Sequence, residues 1–147
     1  MKRKLIGCML LCLSCAACWG CGEKSYADGT YTAQSEEYIN DDENDTAGNG
    51  YGVVSVTVSG GQITACEFKT YTLDGGLKDE EYGKEDGEVR NRDFYNKAQK
   101  AVGACDQYAA ALVSGGSLKE VDAISGATVN YNEFKEAVKE ALRQAEQ

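Results

Sequence analysis

The stretch YGVVSVTVSGGQITACEFKTYT, residues 51–72, decides the fold. Tyr51–Ser59 is rich in β-branched residues, which favour extended structure. Its alternate positions predict one apolar face, formed by Val54, Val56 and Val58. Gly60 and Gly61 predict a tight turn, because glycine adopts positive φ without steric cost. Ile63–Thr72 predicts the return strand of a β-hairpin. Strict alternation in this strand would place Ile63, Ala65 and Glu67 on one face of the sheet and Thr64, Cys66 and Phe68 on the other.

Elements on both sides of the hairpin complete an α+β pattern. Gly29–Gln34 predicts a strand, and apolar residues at spacings of three and four predict helices over Asn91–Val113 and Tyr131–Ala145. Asn130, followed three residues later by Glu133, is typical of a capping box at the start of the second helix. Strands come first and helices late, so we predict an antiparallel sheet with helices packed on one face.

Two polar segments predict loops. Asn40–Gly50 is acidic and rich in Asn and Gly, and its run Asp41–Asp45 is a candidate calcium ligand set. The run lacks the glycine and terminal glutamate of the twelve-residue calcium loop, so a charged surface insertion is the favoured interpretation. Residues 73–89 predict a Gly-rich loop over one sheet edge, in which Lys78 and Tyr82 could cover a ligand.

Charge and composition exclude several functions. The formal net charge is −9, and the basic cluster Lys2–Lys4 supplies three positive charges, so the remainder carries about −12. Such an acidic body repels nucleic acid. The chain has no histidine, which excludes His-dependent nucleophiles and His-ligated zinc or haem. No catalytic acid–base pair has a signature of its own, and no metal site is predicted.

The amino terminus has the features of a bacterial lipoprotein signal. Met1–Lys4 is a basic n-region and Leu5–Ser14 an apolar h-region, followed by small residues and cysteines. Residues 1–21 are therefore predicted to be the signal peptide and lipidation region. Cys18, after two alanines, is the preferred lipidation site, and Cys21 is the alternative. Acyl chains on that cysteine would anchor the protein to the membrane.

The cysteines allow further interpretations. Those from Cys12 to Cys21 are spaced by three, like ligands of an iron–sulfur cluster. Their position in and after the h-region favours the signal interpretation. Cys66 and Cys105 could form a disulfide in an oxidising compartment or remain buried free thiols, and the sequence leaves both alternatives open.

The segment DAISGAT, residues 122–128, directly precedes the last predicted helix. We predict extended structure over Leu118–Ile124 and a turn over Ser125–Val129. The first turn of a helix has unpaired N–H groups and a partial positive charge, which suit a phosphate. Gly126 permits close approach, and the Thr128 hydroxyl could hydrogen-bond a phosphate or be esterified to one. An ordinary helix-entry turn would contain similar residues.

This segment resembles the FMN-binding domain family. The family includes components of the sodium-pumping NADH:quinone oxidoreductase and of the Rnf complex, together with small lipoproteins of extracellular electron transfer. The matching pieces are Asp28–Thr32, Gly61–Thr64 and Asp122–Thr128 with the closing helix, so the resemblance covers residues 28 to about 145. It implies that a flavin transferase attaches FMN through its phosphate to Thr128.

The resemblance also implies which residues surround the cofactor. The recognition motif and phosphate surroundings would be Asp122, Ser125, Gly126 and Ala127. One departure is Asn130, where family members often have Ser or Thr. The flavin ring needs an aromatic platform, for which the candidates are Tyr51, Tyr71, Tyr82 and Tyr131.

These features predict three regions: residues 1–21 as signal and lipidation region, 22–28 as polar tether and 29–147 as FMN-binding domain. The resemblance implies an electron carrier, lipid-anchored at the extracytoplasmic face of the cell membrane. Its partners would be a flavin transferase and membrane-bound or extracellular redox proteins. The alternatives are a non-covalent FMN-binding protein and a surface lipoprotein without cofactor, such as an adhesive or ligand-binding module.

Overall fold

A three-stranded antiparallel sheet forms one layer of the domain. The computed structural model describes residues 25–147, in which β1 (Gly29–Gln34), β2 (Tyr51–Ser59) and β3 (Gln62–Tyr71) lie in the order β1-β2-β3. The hairpin of β2 and β3 and the first strand are confirmed. β2 is central because it pairs with both neighbours.

Two helices cover one face of this sheet. Helix α1 (Arg92–Gly115) packs on β3, and helix α2 (Thr128–Ala145) packs on β1 and β2. Between sheet and helices lies the core, whose largest buried members include Val54, Val56, Phe68, Tyr108, Leu112 and Phe134. The predicted α+β fold, with an antiparallel sheet and helices on one face, is confirmed.

The predicted alternation along the return strand is wrong, because β3 contains a bulge. The pairing register shifts by one residue at Thr64, while Ile63 and Ala65 pair with adjacent residues of β2. A bulge moves all following side chains to the opposite face. Ile63 and Phe68 are therefore both buried, although strict alternation would put them on different faces, and Ala65 is exposed.

The predicted capping box at the second helix is also wrong. Helix α2 begins at Thr128, with Ala127 in the N-cap position and no side-chain cap. Asn130 lies inside the first turn and is buried, and its Nδ2 donates to the Ala101 carbonyl of α1 at 3.1 Å. Glu133 is likewise buried. The asparagine amide thus satisfies a tertiary acceptor, and its side-chain oxygen does not cap the helix.

The first helix is confirmed, although it runs from Arg92 to Gly115 and so ends two residues after the predicted Val113, and the segment after it differs from its prediction. Asn91 caps α1 by accepting a hydrogen bond from Phe94 N at 3.0 Å. Gly116 ends the helix in the left-handed conformation. The stretch 118–124, predicted to be extended, starts with a 3₁₀ helix at Leu118–Glu120.

The two ends of the described chain meet. Ala27 N donates to Ala145 O at 2.8 Å, and Gln147 N donates to Ser25 O at 3.3 Å. The predicted signal peptide, with Cys18 and Cys21, lies outside the described residues. Within residues 25–147, neither helix combines the length and apolar character that a membrane span requires.

The two cysteines of the domain are free thiols. Cys105 is buried on α1, and Cys66 is half-buried on β3. The disulfide alternative is therefore wrong. Burial raises the pKa of Cys66 to about 12 and also raises the pKa of Cys105, so neither is a thiolate at neutral pH.

Gly50 fixes the loop that enters β2, and its substitution tests this part of the fold. The backbone of Gly50 exchanges two hydrogen bonds with Tyr38, of 2.7 and 2.9 Å. A Cβ atom at Gly50, where φ is +149°, would lie 1.9 Å from the Tyr71 carbonyl oxygen. Gly50→Ala is therefore expected to lower the free energy of unfolding by about 3 kcal/mol or more, measured by urea denaturation.

The matched control is Gly60→Ala in the hairpin turn. Gly60 also has positive φ, at +60°, but no atom lies within 4 Å of its Cβ position. Only the conformational cost remains, about 1 kcal/mol. Equal losses of stability in the two variants would contradict a steric role for Gly50.

Candidate functional site

A pocket of about 260 Å³ opens beside the N-terminus of α2. Its walls come from the loop before β2, the loop after β3, the middle of α1 and the first turn of α2. Its lining includes the polar side chains of Tyr38, Lys78, Tyr82, Lys97 and Thr128. Segments far apart in sequence therefore converge here.

The first turn of α2 leaves its N–H groups open at the pocket. The first backbone bond of the helix runs from Tyr131 N to Ala127 O, at 3.0 Å, so the N–H groups of residues 128–130 have no intrahelical acceptor. No side chain caps them. Thr128 is exposed, and no residue of the described chain hydrogen-bonds to its hydroxyl. This end of α2 therefore offers three donors and a free hydroxyl to an anion.

Two tyrosines hold the turn before α2 in place. The buried Tyr108 hydroxyl accepts from Ile124 N at 2.9 Å and donates to Ala127 O at 3.1 Å. The Tyr131 hydroxyl donates to Val121 O at 2.9 Å. The conformation of the turn is thus set by α1 and α2 together. Sequence reasoning missed the role of Tyr108, which has only an apolar spacing as its signal.

The residues predicted to surround a phosphate divide into two groups. Gly126, Ala127 and Thr128 line the pocket, whereas Asp122 and Ser125 are exposed and lie outside its lining. Gly126 has φ of +83°, and a Cβ atom there would lie 3.4 Å from the Lys100 ammonium nitrogen. A cation therefore lies next to this glycine.

Lys78 is a buried cation in the pocket wall. It is 7% exposed, and its ammonium donates to the Gly48 carbonyl at 3.2 Å and lies 5.3 Å from the Tyr82 ring centroid. Burial lowers the pKa of Lys78, while the charge of Glu133 acts in the opposite direction. The Lys78 backbone donates to Thr70 O at 2.9 Å, which fixes the loop to β3.

Glu133 lies in the interior one turn after the pocket-lining Asn130. It is 3% exposed, and neither carboxyl oxygen has a hydrogen-bond partner within residues 25–147. Burial raises the pKa of Glu133 to about 7, although the Lys78 charge opposes this shift. Its sequence spacing predicted a capping role, so its burial was missed.

Only one of the four candidate aromatic platforms lines the pocket, and that one is Tyr82. Tyr51 and Tyr71 stack on each other with ring centroids 5.5 Å apart, and Tyr131 packs against the core. Tyr38 also lines the pocket but was missed. It lies just before the acidic insertion and has no periodic neighbour to signal its contact.

The acidic insertion forms one wall of the pocket. Asn40, Asp45 and Gly48 line it, and the Asn49 side chain accepts from Asn40 N at 2.8 Å to close the loop. Asp45 lies 4.0 Å from the Lys97 ammonium. In the described part of the chain, no three Asp, Glu, Cys or His side chains converge to hold a metal ion.

Comparison with known proteins identifies the family. The FMN-binding domain matches residues 48–143, which include Lys78, Tyr82 and Thr128. No curated protein matches the chain. A crystal structure of a Clostridium perfringens protein is similar at a TM-score of 0.56 and 23% identity, over 82% of this chain and 88% of that one. A solution structure of a Clostridium thermocellum protein has a TM-score of 0.42 and 22% identity, over 82% of this chain and 92% of that one. The chain therefore belongs to the FMN-binding domain family, with FMN as its cofactor.

Proposed function

We propose that this protein is a lipid-anchored electron carrier at the extracytoplasmic face of the cell membrane, with FMN esterified through its phosphate to Thr128. One observation carries the proposal. Within residues 25–147, the exposed Thr128 hydroxyl has no hydrogen-bond partner, and it lines the pocket at the N-terminus of α2, which has no side-chain cap. An esterified threonine must be accessible to the modifying enzyme and close to the cofactor site, and Thr128 meets both requirements.

The surroundings of Thr128 fit a phosphate group. The free N–H groups of residues 128–130 and the helix dipole favour negative charge there. The Lys100 ammonium lies beside Gly126, which has no Cβ to obstruct an approaching oxygen. Hydrogen bonds from charged donors to phosphate are stronger than neutral ones. These groups would hold the phosphodiester in one orientation.

The pocket walls fit an aromatic ring system. Tyr38 and Tyr82 provide flat apolar surface, and Ala98 and Ala101 provide small apolar contacts. Lys78 contributes a positive charge that is largely shielded from water. Bound FMN supplies one- and two-electron redox chemistry, whereas these residues bind and orient it and exclude water.

The departure at Asn130 does not alter the face that a flavin transferase would meet. The Asn130 side chain is buried and bonded to Ala101 O, so it belongs to the helix interface. Asp122, Ser125 and Gly126 are exposed before Thr128. Recognition of these residues by the transferase would explain why the motif includes two members outside the pocket lining.

The path of the chain supports an anchor remote from the pocket. Residues 25–27 bond to the C-terminal end of α2, whereas Thr128 is at its N-terminal end. The 18 residues of this helix separate these ends by roughly 27 Å, at 1.5 Å per residue. A lipid anchor upstream of residue 25 would leave the pocket away from the attachment point and open to redox partners.

The covalent bond is tested by substituting Thr128. Coexpression of the wild type with a flavin transferase is expected to give in-gel flavin fluorescence and an added FMN mass. Thr128→Ala is expected to lose both, because no hydroxyl remains for the ester. Thr128→Ser should retain part of the signal, and Thr30→Ala, an exposed threonine on β1, should retain all of it.

The alternatives give different results in the same experiment. Coloured protein whose flavin is released by denaturation would indicate non-covalent FMN and contradict the ester. Colourless wild-type protein after flavin-replete coexpression would favour a surface lipoprotein without cofactor. Fluorescence in Thr128→Ala equal to the wild type would place the bond at another residue.

The anchor is tested at the two candidate cysteines. In a bacterial host that processes lipoproteins, the wild type is expected in the membrane fraction, with a diacylglycerol-modified Cys18 by mass spectrometry. Cys18→Ser should lose the diacylglycerol modification, whereas the matched Cys21→Ser variant should keep it. The reverse pattern would assign lipidation to Cys21, and a diacylglycerol modification of the double variant would exclude both.

A further inference from the structure

Glu133 has a carboxyl group that is buried inside the domain. Both oxygens lack hydrogen bonds within residues 25–147, and the side chain is 3% exposed. Its Cβ lies against β2, 3.0 Å from where a Cβ at Gly52 would be. An unsatisfied buried carboxylate lowers stability, whereas most buried polar groups are bonded. Its presence here therefore calls for a functional explanation.

The groups that interact electrostatically with Glu133 come from three elements. Lys78 and Tyr82 belong to the loop after β3, Cys105 belongs to α1, and Glu136 belongs to α2 itself. Cys105 and Tyr82 both have a raised pKa and are neutral at pH 7. Among these groups, Lys78 is the cation, and its positive charge lowers the pKa of Glu133.

Lys78 connects Glu133 to the pocket. Lys78 and Tyr82 line the pocket, as does Asn130, one turn before Glu133 on α2. Negative charge added in the pocket is attracted to the Lys78 ammonium and opposes ionisation of Glu133. In a poorly hydrated interior such interactions are stronger than in water. The charge of a ligand in the pocket and the protonation of Glu133 are thus coupled.

We propose that Glu133 takes up a proton from solvent when the bound flavin is reduced. This inference rests on the proposed redox function. Two electrons from a reductant such as dithionite enter the flavin, and one proton binds to its ring. A second proton forms the O–H bond of the Glu133 carboxyl group, so that the pocket and its surroundings gain no net charge.

The test compares the midpoint potential of the flavinylated wild type with that of Glu133→Gln between pH 5.5 and 9. At high pH, where Glu133 is ionised beside oxidised flavin, the wild-type potential should fall with pH more steeply than that of Glu133→Gln. The extra slope is roughly 30 mV per pH unit, because a tenfold change corresponds to 29.6 mV for two electrons. At low pH the two slopes should be equal, because Glu133 stays protonated in both redox states.

Glu136→Gln is the matched control, since Glu136 is exposed one turn away on α2. It should keep the wild-type slope. Reduced-minus-oxidised infrared spectra should show a protonated carboxyl band that Glu133→Gln lacks. Parallel potentials of the wild type and Glu133→Gln across the whole pH range would overturn the proposal, as would an equal change of slope in Glu136→Gln.

The protein without flavin provides a second and independent measurement. The pKa of the Glu133 carboxyl rises from 4.5 to about 7 on folding, so the folded state binds this proton more tightly than the unfolded state. The stability that the proton contributes is complete at low pH and is lost as the pH rises from 4.5 to about 7. The wild-type unfolding constant should therefore rise by two to three orders of magnitude more than that of Glu133→Gln over this range, since each pKa unit is tenfold. Equal pH dependence would show that Glu133 does not titrate in this way.

These measurements distinguish a failure of the proposed function from a failure of proton uptake by Glu133. If no flavin is attached to the wild type, the proposed function fails, while the measurement without flavin still reports on Glu133. If flavin is attached and Glu133→Gln is flavinylated like the wild type, unchanged potentials refute proton uptake alone.

Discussion

The candidate site depends on the two hydrogen bonds that the buried Tyr108 hydroxyl forms. A phenol in the core must satisfy its hydroxyl, and here both partners belong to the turn before α2. The Tyr108 ring also packs within 5.7 Å of the Phe134 ring, measured between centroids. Helix α1, the turn and α2 are thereby joined at one point of the core. These contacts fix the position of Thr128, because α2 begins at Thr128, directly after the hydrogen-bonded Ala127.

The charge distribution around the pocket is opposite in sign to that of the whole chain. The net charge is −9, yet three lysines, Lys78, Lys97 and Lys100, line the pocket or its edge. Local fields in a partly enclosed site outweigh the distant surface charge, which salt screens within about 10 Å. An acidic protein can therefore bind the phosphate of FMN while it repels larger polyanions. Two acidic side chains accompany these lysines. Asp45 lines the pocket 4.0 Å from the Lys97 ammonium, and the buried Glu133 interacts with the charge of Lys78.

The sequence predicts those parts of the fold that depend on local pattern. Alternating valines identify β2, and the apolar spacing identifies α1, because each is decided by neighbours in the chain. The bulge at Thr64 could not be predicted, since it satisfies packing against the helices and leaves no local trace. At Asn130 the local pattern was misleading, because an amide can cap a helix or bind a distant carbonyl, and α1 supplies the latter.

The same limit applies to the site. The motif before α2 was identified from its sequence, but Tyr38 and the buried state of Glu133 arise from tertiary contacts across the fold. Lys78 was recognised only as a member of a loop that could cover a ligand, and Tyr82 was one of four equivalent candidates for an aromatic platform. Such residues are recognisable once the pocket brings them together, because their individual surroundings in sequence are those of ordinary loop or helix residues.

With FMN attached at Thr128 as proposed, the missing cap of α2 would link the stability of the helix to cofactor binding. A helix N-terminus without a side-chain cap is less stable by about 1 kcal/mol than one with Ser, Thr, Asp or Asn in that position. The N-cap position of α2 is occupied by Ala127, whose small side chain is buried and whose carbonyl accepts the Tyr108 hydrogen bond. A phosphate held at Thr128 would supply the acceptor oxygens that the first turn lacks. FMN would then serve as the cap of α2, so the feature that weakens the helix is the one that favours the cofactor.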